Sequence, residues 1–202
     1  MAHLITGRAG YAHVTAADEA KINKAIYGNT EAAINYGNNL AITLPSGNAV
    51  NIDTGVFYMQ GRWIDIPAAE TLTLENGNAG LNRNDLVVLR YTANSNTGVE
   101  QAELAIVKGT AASTAVDPEL TQGDIDGGAL TNEIALYRIP LTGINVGTPV
   151  KLFKMISIRA EVDGEGNSIA STYAKKSALG DQVTITVTTE NGVNVCRIER
   201  KQ

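Results

Sequence analysis

Between residues 31 and 141 no apolar run exceeds about four residues before Gly, Asn, Pro or a charge interrupts it. Amphipathic helices need ten or more residues of 3.6-residue period, so segments this short, many of them alternating, read as strands. Leu40–Leu44 leads into Pro45-Ser46-Gly47, and Ala49–Ile52 follows, a hairpin around a short turn. Val56–Met59, Gly61 and Arg62–Ile66 read as a second hairpin or a bulged continuation. Thr71–Glu75 alternates with period two and stops at Asn76-Gly77. Asp85–Tyr91 and Gln101–Lys108 carry the strongest strand patterns, joined through Asn94–Gly98. Leu86-Val87-Val88-Leu89 is apolar at every position, which places that strand in the middle of a sheet. Glu133–Leu141 is one more strand, ended by Pro140 and Gly143. Between Thr110 and Thr131 Asp, Gly and Pro cluster into a long loop, with one helical turn expected after Asp117-Pro118.

Helical signals are confined to the flanks. Thr15 is an N-cap, Asp18 completes a variant capping box, and Gly28 supplies the stop. Asp18 and Glu19 sit at the positive end of the dipole, Lys21 and Lys24 near the negative end. Ile22, Ala25 and Ile26 form a narrow apolar stripe, the expected docking face of this helix. After Ile158 comes the polar, glycine-spaced stretch Glu161–Asn167, then a short helix expected over Ile169–Leu179. Val183–Glu190 and Val193–Arg200 flank Asn191-Gly192, a type I′ hairpin signature.

These elements predict a mainly β protein: an antiparallel β-sandwich or barrel with one short N-terminal helix and a small C-terminal helix-plus-hairpin appendage. The expected divisions are an attachment segment over 1–30, a β body over 31–158, and a linker with a C-terminal hairpin over 159–202.

Composition narrows the function. Charged residues are only 18% of the 202, and Gly (20), Thr (20) and Asn (18) take their place, residues of turns and strands. Acidic residues outnumber basic ones 21 to 16 with no basic cluster, which argues against a nucleic-acid partner. No apolar run approaches the roughly 20 residues of a membrane span, so no membrane insertion is expected. The N-terminus MAHLITGRAGYAH lacks the apolar region of a secretion signal. A single cysteine excludes an internal disulfide framework and suits synthesis in a reducing cytoplasm.

Reactive constellations are sparse. His3, His13 and Cys196 cannot assemble a zinc site of N and S donors, and Cys196 reads as a packed strand residue. Gly166–Ala170 has the spacing of a nucleophile elbow, yet no histidine follows position 13. Asp163, Glu165 and Asn167 resemble half a calcium loop, but Ser168 and Ala174 stand where that loop needs Gly and Glu. Carboxylates remain: Asp124 with Asp126, or Asp65, Glu70 and Glu75, would need close pairing for glycoside chemistry. The densest aromatic set is Phe57, Tyr58 and Trp63 around Gly61. Alternation puts Phe57 and Met59 on one face and Tyr58 on the other. Phe57 and Trp63 are expected in the core, with one face left for contacts. No catalytic residue, metal ligand or cofactor is expected. Tyr58, Arg62 and Trp63 are the candidate binding or interface residues.

Several strings carry a resemblance. They are His13–Asp18, Met59–Arg62, Arg83–Val88 with Arg90-Tyr91, Val107–Thr110, Asp117-Pro118 and Leu136–Leu141, in that order. Together they resemble structural proteins of the tail tip, baseplate or tail fibre of phages and prophages of Gram-positive gut bacteria, over about residues 1–155. Ile169–Ser177 separately resembles a linker element of tail fibres. The resemblance implies a non-enzymatic virion subunit, a homotrimer that attaches to other tail or baseplate subunits, with host-surface glycan as a further partner. It would be made in the cytoplasm and located in the virion tail. The competing expectation is a monomeric carbohydrate-binding module with exposed rings near Tyr58 or Trp63.

Overall fold

The computed structural model describes residues 14–156 and, further on, the strands at 183–190 and 193–200. The chain divides into two compact units, 1–156 and 157–202. The fold is mainly β, with one helix near the N-terminus and antiparallel sheets, one of them curled into a half-barrel.

Helix α1 (Ala16–Tyr27) starts as its sequence dictates: the Thr15 hydroxyl accepts from Asp18 N, and the Asp18 carboxylate accepts in turn from Thr15 N. Gly28 closes it with φ 75°. Three sheets follow. In the first, β1 (Glu31–Ile34) and β5 (Arg62–Ile66) flank β4 (Gly55–Met59), and β12 (Met155–Ile156) pairs parallel to β1. The second is β2 (Ile42–Ser46), β3 (Ala49–Ile52) and β6 (Glu70–Thr73), with β3 central. The third is built on β7 (Asn82–Ala93), paired with β8 (Glu100–Val107) on one side and β9 (Thr131–Thr142) on the other. Two short strands, β10 (Asn145–Val146) and β11 (Val150–Lys151), pair with the far side of β9.

One apolar core joins all three sheets: Phe57 and Met59 from the first, Val50 and Ile52 from the second, Val87, Leu89, Leu136, Ile139 and Leu141 from the third. The connections add Leu40, Leu74, Ile125 and Phe153. As expected, Leu86–Leu89 lies mid-sheet and is buried on both faces. Along the β7–β9 face the long connection 108–130 is tied down by polar anchors. Asn84 Nδ2 and the Arg138 guanidinium both donate to Asp117, and Thr121 N donates to Glu133.

Two local expectations need correction. Residues 117–124 form no helical turn; the Asp117 carboxylate is committed to Asn84 and Arg138 rather than to capping. Pro140 lies inside β9, which runs on to Thr142. Its carbonyl accepts from Gly147 N, so its absent N–H faces away from β7 and no bond of that ladder is lost. The β4–β5 alternative resolves as a hairpin with unbroken register from Gly55↔Ile66 to Met59↔Arg62.

In the second unit β13 (Val183–Glu190) and β14 (Val193–Arg200) pair antiparallel, Glu190 opposite Val193, Ile185 opposite Ile198 and Val187 opposite Cys196. The helix expected over 169–179, the calcium-like stretch and both histidines lie outside the described residues.

Candidate functional site

The β4–β5 turn is bonded to α1, to β1 and to the long connection before β9. Gln60 and Gly61 both take positive φ, 46° and 89°, the backbone of a two-residue hairpin turn. Gly61 is required twice over. A side chain there would be strained by φ, and a Cβ would stand 2.4 Å from the Ala20 carbonyl oxygen. That close approach seats α1 on the hairpin. Asn23 Nδ2 donates to Gly61 O at 2.9 Å, Lys24 bridges to Asp126 at 2.6 Å, and the Tyr58 hydroxyl donates to Gly28 O at 3.0 Å. Gly61→Ala is therefore expected to cost about 1–3 kcal/mol and to loosen α1 selectively. Faster hydrogen exchange over 18–27 with unchanged protection in β7 and β9 would report it.

Gln60 holds the other side of the turn. Its amide donates to Glu31 Oε1 (3.1 Å) and Gly123 O (2.9 Å) and accepts from Ile125 N (3.0 Å). Arg62 then ties three elements together. Its guanidinium donates to Glu100 at 2.9 and 3.2 Å and to Asp126 at 3.5 Å, and lies 5.5 Å from the centre of the Tyr91 ring. The Tyr91 hydroxyl donates to Glu100 at 2.8 Å. Hydrogen bonding from Arg62 holds the Glu100 carboxyl below its usual range, and Lys24, then Arg62, do the same for Asp126. Burial and the Glu100 carboxylate push Tyr91 up to about 12.

The sign of the resulting pH dependence follows. A carboxyl depressed in the folded state adds stability above its unfolded pKa, about 4, and loses it as pH falls through the lower folded value. A Glu100→Gln/Asp126→Asn variant is expected to melt below the native protein at pH 7. The two curves should converge at acid pH, once the pH has fallen below the lowered folded-state values and the native carboxylates are themselves protonated. A gap in melting temperature that persists at low pH would contradict this account.

Between α1, β5 and β8 lies a cleft of about 310 Å³. Trp63, Ile64, Ala20 and Ala102 supply apolar walls, and Glu19, Asn23, Arg62 and Gln101 its polar rim. A second, polar recess of about 390 Å³ is lined by Glu31, Gln60, Gln122, Asp124 and Asn132.

The three sequence candidates thus part company. Tyr58 is fully buried: α1 covers the face that alternation left open, with Tyr27 edge-on to Tyr58 at 5.8 Å. Arg62 is 13% exposed and engaged by two carboxylates. Trp63 packs on Tyr27 and Tyr58 (5.1 and 4.7 Å) and still reaches the cleft. Arg62 and Trp63 share a site, and Tyr58 lies behind it as support. Of the carboxylates, Asp126 is held by Lys24 and Arg62, Glu75 binds Lys108, and Asp124 lines the separate recess. Charge-neutralised carboxylates with lowered pKa values suit holding elements together, whereas general-acid work needs raised ones. Among the described residues no group of three or more His, Cys, Asp or Glu is placed to hold a metal, and no helix is long and apolar enough to cross a membrane.

Glu100, Tyr91, Gln60 and Asn23 were not singled out from sequence. Only Gln60 had a local signal, its place beside the turn glycine; the other three meet the site through long-range pairing. Compared with models of known protein families and with curated proteins, the sequence matches none.

Proposed function

We propose that this chain is a non-enzymatic structural component of a phage or prophage tail, a baseplate or tail-fibre adaptor that assembles as a homotrimer with other virion subunits and contributes to attachment at the host surface. The observation that supports it best is the β13–β14 ribbon, which pairs with no third strand among the described residues. Its strands pair along their full length, from Val183 opposite Arg200 to Glu190 opposite Val193. A two-stranded hairpin is marginal alone in water and gains stability by packing against a neighbour, as a subunit in an assembly does. The family resemblance gives that assembly its identity. Quantitative mass spectrometry of purified tail particles from the producing strain tests the reading. The chain should appear in a fixed ratio to other tail proteins; its absence from particles made while it is expressed would refute it.

A second reading, a monomeric carbohydrate-binding module, is favoured by the cleft, whose lining combines Trp63 with the polar side chains Asn23 and Gln101. It requires saturable glycan binding that Trp63→Ala abolishes, together with a mass of 21.3 kDa in solution.

A further inference from the structure

A helix on the surface of a self-sufficient domain turns its large aliphatic residues inward. α1 does the reverse. Its inner side meets the body through Ala20, Asn23, Lys24 and Tyr27, mostly by polar bonds. Its larger aliphatic residues point away: Ile22 is 36% and Ile26 64% exposed, Ala25 is exposed beside them, and Val14, just before the N-cap, is 56% exposed. At 100° per residue Ile22, Ala25 and Ile26 fall on one side of the helix. The stripe anticipated from sequence as a docking face therefore exists, facing outward, and the Gly61–Ala20 contact holds it in place.

The charges beside the stripe indicate what covers it. Glu19 flanks it on one side and Lys21 on the other. When two such helices meet antiparallel, each flank meets its own kind, Glu19 against Glu19 and Lys21 against Lys21. When they run parallel, the Glu19 flank of one meets the Lys21 flank of the next, as in a parallel coiled coil. Opposite flanks of opposite sign thus favour parallel copies of the same helix around a cyclic axis.

We propose that the outer stripe of α1 is an interface between copies of this chain, with the helices parallel and Glu19 of one copy beside Lys21 of its neighbour. The inference rests on the reading of the chain as an assembling subunit and names the surface that assembles it. Light scattering on a sizing column, with dilution, tests it on the full chain. Native protein should run as an oligomer, about 64 kDa for three copies of 21.3 kDa. Ile22→Gln/Ile26→Gln keeps helix propensity and should raise the concentration of half-dissociation about a hundredfold, since two partly buried isoleucines are lost at each contact. Glu19→Gln should raise it about threefold. Fluorescence of Trp63, the only tryptophan, packed on Tyr27 of α1, should be unchanged in diluted variants and so separates lost assembly from lost folding. An oligomer indifferent to Ile22→Gln/Ile26→Gln overturns the stripe as interface while leaving the tail reading intact if particles contain the chain. Indifference to Glu19→Gln overturns the parallel arrangement. A native monomer at every concentration overturns the proposal entirely.

Discussion

Asp85→Asn is expected to cost about 3–5 kcal/mol of folding stability, measured as a lowered denaturant midpoint at unchanged slope. Arg83 and Asp85 stand two apart on β7 and are 2% and 1% exposed, so water screens neither. Arg83 Nε and a terminal nitrogen donate to the two carboxylate oxygens at 2.8 and 2.9 Å, and Gly109 N donates to the same carboxylate at 2.9 Å. The guanidinium goes on to the carbonyls of Glu75 (2.7 Å) and Asn76 (3.3 Å). Asparagine is nearly isosteric, but it removes the counter-charge and turns an N–H₂ toward a nitrogen of Arg83. A buried guanidinium without compensation is what makes the single change severe. Arg83→Met should cost a similar amount, for the mirror-image reason. The double variant Arg83→Met/Asp85→Leu should cost clearly less than the two singles together, because no charge stays stranded. It should not reach native stability, since Gly109 N and the carbonyls at 75 and 76 lose their partners. Additive losses, or a single-variant loss under about 1 kcal/mol, would show that the pair is more hydrated than its burial indicates.

That network also shows where the sequence could be read and where it could not. Features set by neighbours a few residues apart were legible: the Thr15–Asp18 capping box, the Gly28 stop, the β4–β5 hairpin and the mid-sheet strand at Leu86–Leu89. Arg83 and Asp85 were legible in principle. They are in phase with Val87, Leu89 and Tyr91 on the core-facing side of β7, and opposite charges two apart on such a face predict a buried pair. Other features depend on what a distant segment covers. Alternation correctly separates Tyr58 from Phe57, but the burial of Tyr58 comes from α1, some thirty residues earlier in the chain. The Ile22–Ile26 stripe was legible as a stripe, and its outward direction was not, because that depends on the Gly61–Ala20 contact. Pro140 reads as a strand end until its carbonyl partner at Gly147 is known. Trp63 belongs to the densest aromatic set and Arg62 stands beside it as a candidate contact, while Glu100 and Asp126, which hold Arg62, lie 38 and 64 residues away.

Leu40 should lose about 2–5 kcal/mol on truncation to alanine, and at this position glycine should be no worse than alanine. Leu40 joins the first sheet to the second and is fully buried, yet its φ is 56°, in the left-handed region that branched and bulky residues avoid. Three contacts hold it there. Its N–H donates to Thr54 O at 3.0 Å, and its carbonyl accepts from the Tyr137 hydroxyl at 2.9 Å. Its side chain lies over Gly55, where a Cβ would come within 2.8 Å. The backbone cost of an L residue in this region, on the order of 1 kcal/mol, is thus offset by a buried leucine and a buried hydroxyl bond. Leu40→Ala forfeits the packing and keeps the strain. Leu40→Gly forfeits the same packing and one methyl more, but releases the strain, so the usual penalty of glycine against alanine should vanish or reverse. Chemical denaturation of the two variants side by side decides it. Alanine more stable than glycine by the ordinary 0.5–1 kcal/mol would mean that the left-handed turn relaxes once the side chain is gone, and that packing at Leu40, rather than the Thr54 and Tyr137 bonds, fixes this corner of the fold.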